Sequence, residues 1–157
     1  MSCWRAMLAS DLDAMVALAA LVHPDHLEDA EVLAERHALY PAGCFVLDGA
    51  DGIAGYLLSH PWRALDPPPL NRRLGALPAA AGCYYLHDLA LHPARRGRGD
   101  GGIIVRELGP VFGAWPSVEL VAVGGSVGFW GRFGFRVVAL AKLDGYGAGA
   151  RFMVWKR

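Results

Sequence analysis

The sequence predicts the α+β class, a mixed sheet flanked by helices. At 157 residues and 54% hydrophobic content the chain can bury one core and is too short for two ordinary domains, so residues 1–157 read as a single domain. Its hydrophobic periodicities run β-α-α-β-β-β-α-β-α-β-β, without the strict alternation of a parallel β-α fold, which disfavours a dinucleotide-binding architecture. No internal repeat is visible.

Residues 3–8 are strand-like, and Ser10 with Asp13 three positions on resembles a capping box that opens a helix with Met15, Leu18, Ala19 and Val22 on its apolar face. His23-Pro24 ends it. A second helix is expected over 27–39, with Leu27, Ala30, Leu33, Ala34 and His37 at helical spacing, stopped by Tyr40-Pro41-Ala42-Gly43. Cys44–Leu47 and Ile53–Ser59 read as a hairpin around the turn at 48–52. Residues 61–82, with Pro67, Pro68, Pro69 and Pro78, form a long loop. Cys83–Leu91 is a strand and Gly101–Leu108 a helix, which Gly109-Pro110 kinks or stops before a separate turn at 111–115. Val118–Val123 is a buried strand, Ser126–Phe133 a short helix, Phe135–Lys142 a strand, and Arg151–Lys156 a last strand after the turn at 144–147.

Formal net charge is zero, so positive charge is local rather than spread over a nucleic-acid-binding surface. Cys3, Cys44 and Cys83 are odd in number and lack metal-site or redox-pair spacing, which suits a reduced cytosolic protein and implies no metal. No leader pattern is seen, and no apolar run approaches the roughly 20 residues that span a bilayer. A cytoplasmic protein without membrane or nucleic-acid partners is the expectation.

The most informative segment is 86–102, a strand, a Pro-Ala corner and a glycine-spaced basic turn that leads straight into a helix. Arg95, Arg96 and Arg98 stand among glycines that let a ligand approach the backbone, and the helix start offers unpaired N–H groups. That combination binds small anions. The lysine of a P-loop is missing, and the glycine spacing is not that of a Rossmann turn.

Arg96-x-x-Gly99-x-Gly101 after Leu89-Ala90-Leu91-His92-Pro93 resembles the R/Q-x-x-G-x-G/A signature of the GNAT superfamily of N-acetyltransferases and the strand that precedes it. Residues 128–135 resemble the F-Y-x-x-x-G-F segment of the same family, at about the right distance. The resemblance covers nearly the whole chain. It implies a mostly antiparallel central sheet in three α/β/α layers, with acetyl-CoA as co-substrate. Its diphosphate would lie on Arg96, Gly97, Arg98, Gly99, Asp100 and Gly101, its pantetheine along Leu89, Ala90 and Leu91, with Phe129 and Trp130 beside it.

Transfer to an alkyl amine, whose pKa is about 10.4, calls for a proton acceptor. His87 and Asp88 are the candidates on the strand. Alternation lets one of them face a cleft unless a bulge intervenes. The stretch 85–92 resembles the His-x-His-x-x-Ala-Val-His strand of arylalkylamine acetyltransferases, with His87 at the second histidine and Tyr85 in place of the first. His87 is therefore the better base, Asp88 the weaker one, and a ring hydrogen-bonded inside the sheet the alternative. Trp130 stands where many members carry the tyrosine that protonates the thiolate, and an indole N–H is no acid near neutrality. Tyr146 is the weak substitute, and Val123 and Ser126 replace an asparagine and alanine often found before that helix.

His60, Trp62 and His37 are candidate acceptor contacts, whereas Glu28, Asp29 and Glu31 read as a solvated first helical turn. The reading that results is acetyl transfer from acetyl-CoA to a primary amine of a small molecule or peptide, in a ternary complex. The alternatives are a non-catalytic acyl-CoA-binding or sensing module and, disfavoured by the zero net charge, a nucleic-acid binder. An edge near the last strands leaves room for a homodimer.

Overall fold

A computed structural model of the chain describes residues 3–140, 143 and 145–157. Its seven strands form one sheet in the order β1-β2-β3-β4-β5-β7-β6. They are β1 (Trp4–Ala6), β2 (Cys44–Gly49), β3 (Gly52–Trp62), β4 (Cys83–Leu91), β5 (Ser117–Ala122), β6 (Arg136–Val137) and β7 (Arg151–Lys156). Among the described residues only β4 and β5 pair in parallel. The helices are α1 (Leu12–Val22), α2 (Ala30–Leu39), α3 (Asp100–Glu107), α4 (Gly109–Gly113) and α5 (Val127–Gly131). The mixed, mostly antiparallel sheet and the element order are those expected, with α4 where a turn was expected after the Gly109-Pro110 break.

Two apolar layers sandwich the sheet. On one face Met15, Leu18 and Ala19 of α1 and Leu33 of α2 pack on Val46, Tyr56, Leu58 and Ala90. On the other, Ile104 and Val105 of α3, Phe112 of α4 and Trp130 of α5 pack on Leu57, Leu86, Val118 and Leu120. Burial of this kind supplies most of the driving force for folding.

Four local expectations change. Ser10 and Asp13 form no capping box: Asp11 accepts from the Leu8 N–H at 2.8 Å and pairs with Arg5 at 2.8 Å, ending the turn before α1. The second helix starts at Ala30, three residues late, and buries Val32, Leu33 and Arg36, leaving Leu27 exposed. β3 runs past Ser59 to Trp62, because the loop that follows is anchored from outside itself. Glu35 accepts from the N–H groups of Leu74 and Gly75, Glu119 from that of Leu65, and Tyr146 donates to the Pro68 carbonyl. Finally β6 is two residues long; Ala141, Lys142 and Asp144, which belong to the expected strand and turn, lie outside the described residues.

The register of β3 against β4 carries the functional consequence. Leu58 pairs with Asp88 and Ser59 with Leu86, so His87 is an extra residue in β4. A bulge of this kind reverses the alternation of side chains. Tyr84, Leu86, Leu89 and Leu91 face the α3 layer, while Tyr85 and Ala90 face the opposite side. Just there β4 leaves β5, whose parallel pairing covers only Tyr84–Leu86 against Val118–Leu120.

Candidate active site

The parted ends of β4 and β5 open a cleft of about 520 Å³. One wall is β4 from Leu86 to Leu91, the opposite wall Leu120, Val121, Val123 and Gly124, and the roof the link between α1 and α2. Phe129 and Trp130 of α5, Gly101 of α3 and Arg96 complete it on the α3 side, and Tyr146 closes the far end.

Because of the bulge, both His87 and Asp88 line this cleft, and each is held by a partner from the α1–α2 link. His87 Nε2 lies 2.7 Å from Glu28 Oε1, with the two side chains 1% and 5% exposed. Glu28 also accepts from the Asn71 N–H at 2.9 Å. Burial alone would raise the Glu28 carboxyl, but His87, the Asn71 N–H and the Arg36 charge outweigh it and hold the pKa at about 2. An ionised Glu28 accepts the Nε2–H, which leaves the lone pair on Nδ1, a buried atom with no partner on the protein. Glu28 is thus no solvated helix-start residue.

Asp88 accepts at one oxygen from His23 Nε2, 2.8 Å away, and at the other from the Tyr56 hydroxyl. Burial opposes charge on His23, yet the hydrogen bond and charge of Asp88 prevail and raise its pKa above the ordinary 6.5. His23, read from sequence only as a helix terminator, is therefore a cation-prone ring on the cleft wall. The sequence signal for this dyad and for Glu28 was the density of titratable residues in 23–28, placed between two helices.

At the mouth, Gly97 and Gly99 take φ of 77° and 83°, values that suit glycine, so the turn folds back onto the start of α3. A Cβ on Gly101 would stand 3.3 Å from Phe129 Cζ, and the bare Cα keeps α3 and α5 close. Arg96 lines the cleft, whereas Gly97, Arg98, Gly99 and Asp100 lie outside its wall. Arg95 is not free for a ligand: it pairs with Asp100 at 3.2 Å and donates to the Asp48 carbonyl. Leu89, Ala90, Leu91, Phe129 and Trp130 all line the cleft. Trp130 is 7% exposed and packed edge-on against Phe129 and Phe135.

The structure does not bring His60, Trp62 and His37 to the cleft. Trp62 donates to the Asp66 carbonyl, His37 bonds the Met7 carbonyl, and His60 is buried beside Tyr85, where desolvation depresses its pKa to about 3. Tyr146 does reach the cleft, its phenol pushed up to about 12 by burial. Among the described residues no cluster of His, Cys, Asp and Glu is arranged to hold a metal ion, and no helix is long and apolar enough to cross a membrane.

No protein-family model matches the sequence, and no curated protein does either. Solved structures match over nearly the whole chain. GphF, a GNAT-like decarboxylase solved with isobutyryl-CoA, superposes with a TM-score of 0.84 over 98% of both chains at 18% identity. The chain has the GNAT fold. The loading GNAT-like domain of CurA from Lyngbya majuscula follows at 0.81, 16% identity, and 98% and 96% coverage. The PaiA N-acetyltransferase of Thermoplasma acidophilum, solved with coenzyme A, matches at 0.67 and 13% identity over 98% of each chain. The cleft described above lies between β4 and β5, neighbours in the middle of the sheet.

Proposed function

We propose that this GNAT-fold protein is an acyl-CoA-dependent acyltransferase that moves an acetyl group to a primary amine of a small molecule or peptide. The observation that carries the reading is the bulge at His87. It sets a buried carboxylate-imidazole pair into the cleft at the point where β4 parts from β5 and its edge is open. The residues present fit a CoA substrate: the turn from Arg96 to Gly101 offers glycine backbone and a guanidinium to a diphosphate, and the open edge of Leu89–Leu91 offers peptide groups to a pantetheine amide. Bound acetyl-CoA supplies the thioester and a thiolate leaving group.

The chain's own residues do the rest. Glu28 orients His87 so that Nδ1 takes the amine's proton, directly or through water. Trp130, Phe129 and Leu120 keep the thioester end apolar. Tyr146, with a pKa near 12, is a weaker acid than a thiol of about 8.5, so it is a wall rather than a proton donor. His23, whose pKa Asp88 raises above the ordinary 6.5, is the better donor to a departing thiolate.

An amine panel scored by CoA release tests this: release requires both acetyl-CoA and an acceptor, and His87→Ala lowers turnover about 100-fold while CoA binding by calorimetry changes little. Tight CoA binding with no turnover on any amine would favour the non-catalytic sensing module. The GphF match favours one second reading, in which a carboxyacyl-CoA loses carbon dioxide in the cleft. Carbon dioxide evolved without any amine distinguishes it.

A further inference from the structure

Asp100 puts a carboxylate at the first position of α3, the helix whose start the proposed function gives to a diphosphate. It can spoil that site in two ways. Its charge repels a diphosphate, and a carboxylate in a first helical turn accepts readily from the free N–H groups there, which are the donors a bound anion needs. The Ile103 N–H already donates to the Gly99 carbonyl at 3.1 Å. Those of Asp100, Gly101 and Gly102 precede it and have no acceptor along the helix.

Arg95 removes both difficulties. Its Nη2 lies 3.2 Å and its Nε 3.3 Å from Asp100 Oδ2, while its Nη1 donates to the Asp48 carbonyl of β2 at 3.4 Å. Asp48 is itself fixed, since its carboxylate accepts from Arg5 Nε of β1 at 3.1 Å. The backbone of the pair is held as well. The Arg95 N–H donates to the His92 carbonyl at 2.8 Å, and Trp4 Nε1–H of β1 donates to the Asp100 carbonyl at 2.9 Å. The consequence shows in the cleft wall: Arg96 and Gly101 line it, whereas Arg95 and Asp100, their outer neighbours in the chain, do not.

We infer that Arg95 is a positioning residue for the turn: by pairing with Asp100 it keeps that carboxylate off the start of α3, so that the free N–H groups and the Arg96 guanidinium are left to the diphosphate. The identity of the anion rests on the acyltransferase reading. An arginine in such a turn could instead grip the ligand directly, but Nε, Nη1 and Nη2 of Arg95 are all engaged on the protein. Arg95 and Asp100 therefore act as one unit, and the effect of removing the arginine depends on whether the carboxylate is there.

Calorimetric CoA binding to the whole chain tests this with a double-mutant cycle. Arg95→Met releases the Asp100 carboxylate and is expected to weaken CoA about tenfold. Asp100→Ala removes the side chain but keeps the N–H, and is expected to bind CoA no more than about threefold more weakly than wild type. In the Asp100→Ala background, Arg95→Met is expected to cost less than about threefold, because no carboxylate is left to release. An equal cost in both backgrounds means that Arg95 meets the ligand directly or that the two charges act independently, and it overturns the inference. Asp100→Ala as weak as Arg95→Met means that the ion pair is only a clamp on the backbone, and this overturns it too, as does an Arg95→Met protein of wild-type affinity. If Arg95→Met does not fold, by circular dichroism and urea midpoint, Arg95→Ala takes its place in the cycle with the same expectations. Wild-type protein that binds no CoA removes the acyltransferase reading and this inference with it, whereas wild-type binding with a cycle of the wrong pattern removes the inference alone.

Discussion

Two carboxylate-imidazole pairs face the cleft, and their surroundings push them to opposite duties. Asp88 accepts from both Tyr56 and His23, and its charge raises the pKa of a partly exposed ring. Glu28 and His87 are buried, and there the carboxylate fixes the tautomer instead. Replacing Glu28 with Gln keeps the shape and removes the charge. The amide can then donate to Nε2, which moves the ring proton to Nδ1 and takes away the lone pair that the proposed reaction calls for. Glu28→Gln is expected to cost about 100-fold in kcat, close to the loss in His87→Ala, with CoA affinity within about threefold of wild type. A variant of wild-type turnover would remove Glu28 from the mechanism. His87 was legible in the sequence from its strand context, but Glu28 was not. A charged residue at a helix start is usually solvated, and only the fold of the 23–28 link turns this one inward.

Among the elements, the turn before α3 and the loop after β3 sit at opposite ends of legibility. The turn is written locally: glycine spacing, the positive φ it permits, and a helix start make one structure almost regardless of the rest of the chain. The loop is written remotely. Glu35 and Arg36 of α2, Glu119 of β5 and Tyr146 ahead of β7 fasten its backbone from three other parts of the chain, and such partners leave no periodicity to read. The same distinction explains why the bulge was invisible, since register is a property of two strands and the parity change shows in neither alone. For the turn, Gly99→Ala is a clean probe: no atom lies within 4 Å of the new Cβ, so its cost is the strain of a φ near 83°. About 1–2 kcal/mol of strain is relieved by opening the turn, and CoA affinity is expected to fall about tenfold or less with α3 intact by circular dichroism. Unchanged affinity in calorimetry would take the diphosphate away from this turn.

Across the whole molecule, element order and layer arrangement followed from hydrophobic periodicity, whereas the acid response follows from pairings that only the fold creates. The folded state holds Glu28 at about 2 against an ordinary 4.5, and Asp11, bonded to Arg5, is also lowered. Depressed carboxylates stabilise the protein above their unfolded pKa and cease to do so as the pH falls through the folded value. For Glu28 the window runs from 4.5 down to about 2, and the contribution is on the order of 3 kcal/mol. His23 works in the other direction, stabilising below its unfolded value near 6.5 and losing that contribution as the pH rises through its raised folded value. The two effects are separable because their windows do not overlap. Urea midpoints measured at intervals from pH 8 to pH 2 are expected to fall steeply below about 4.5 in the wild type and less steeply in Glu28→Gln, while the two proteins keep parallel curves above pH 6. Parallel curves in the acid range would mean that the folded state does not lower the Glu28 carboxyl below its ordinary value.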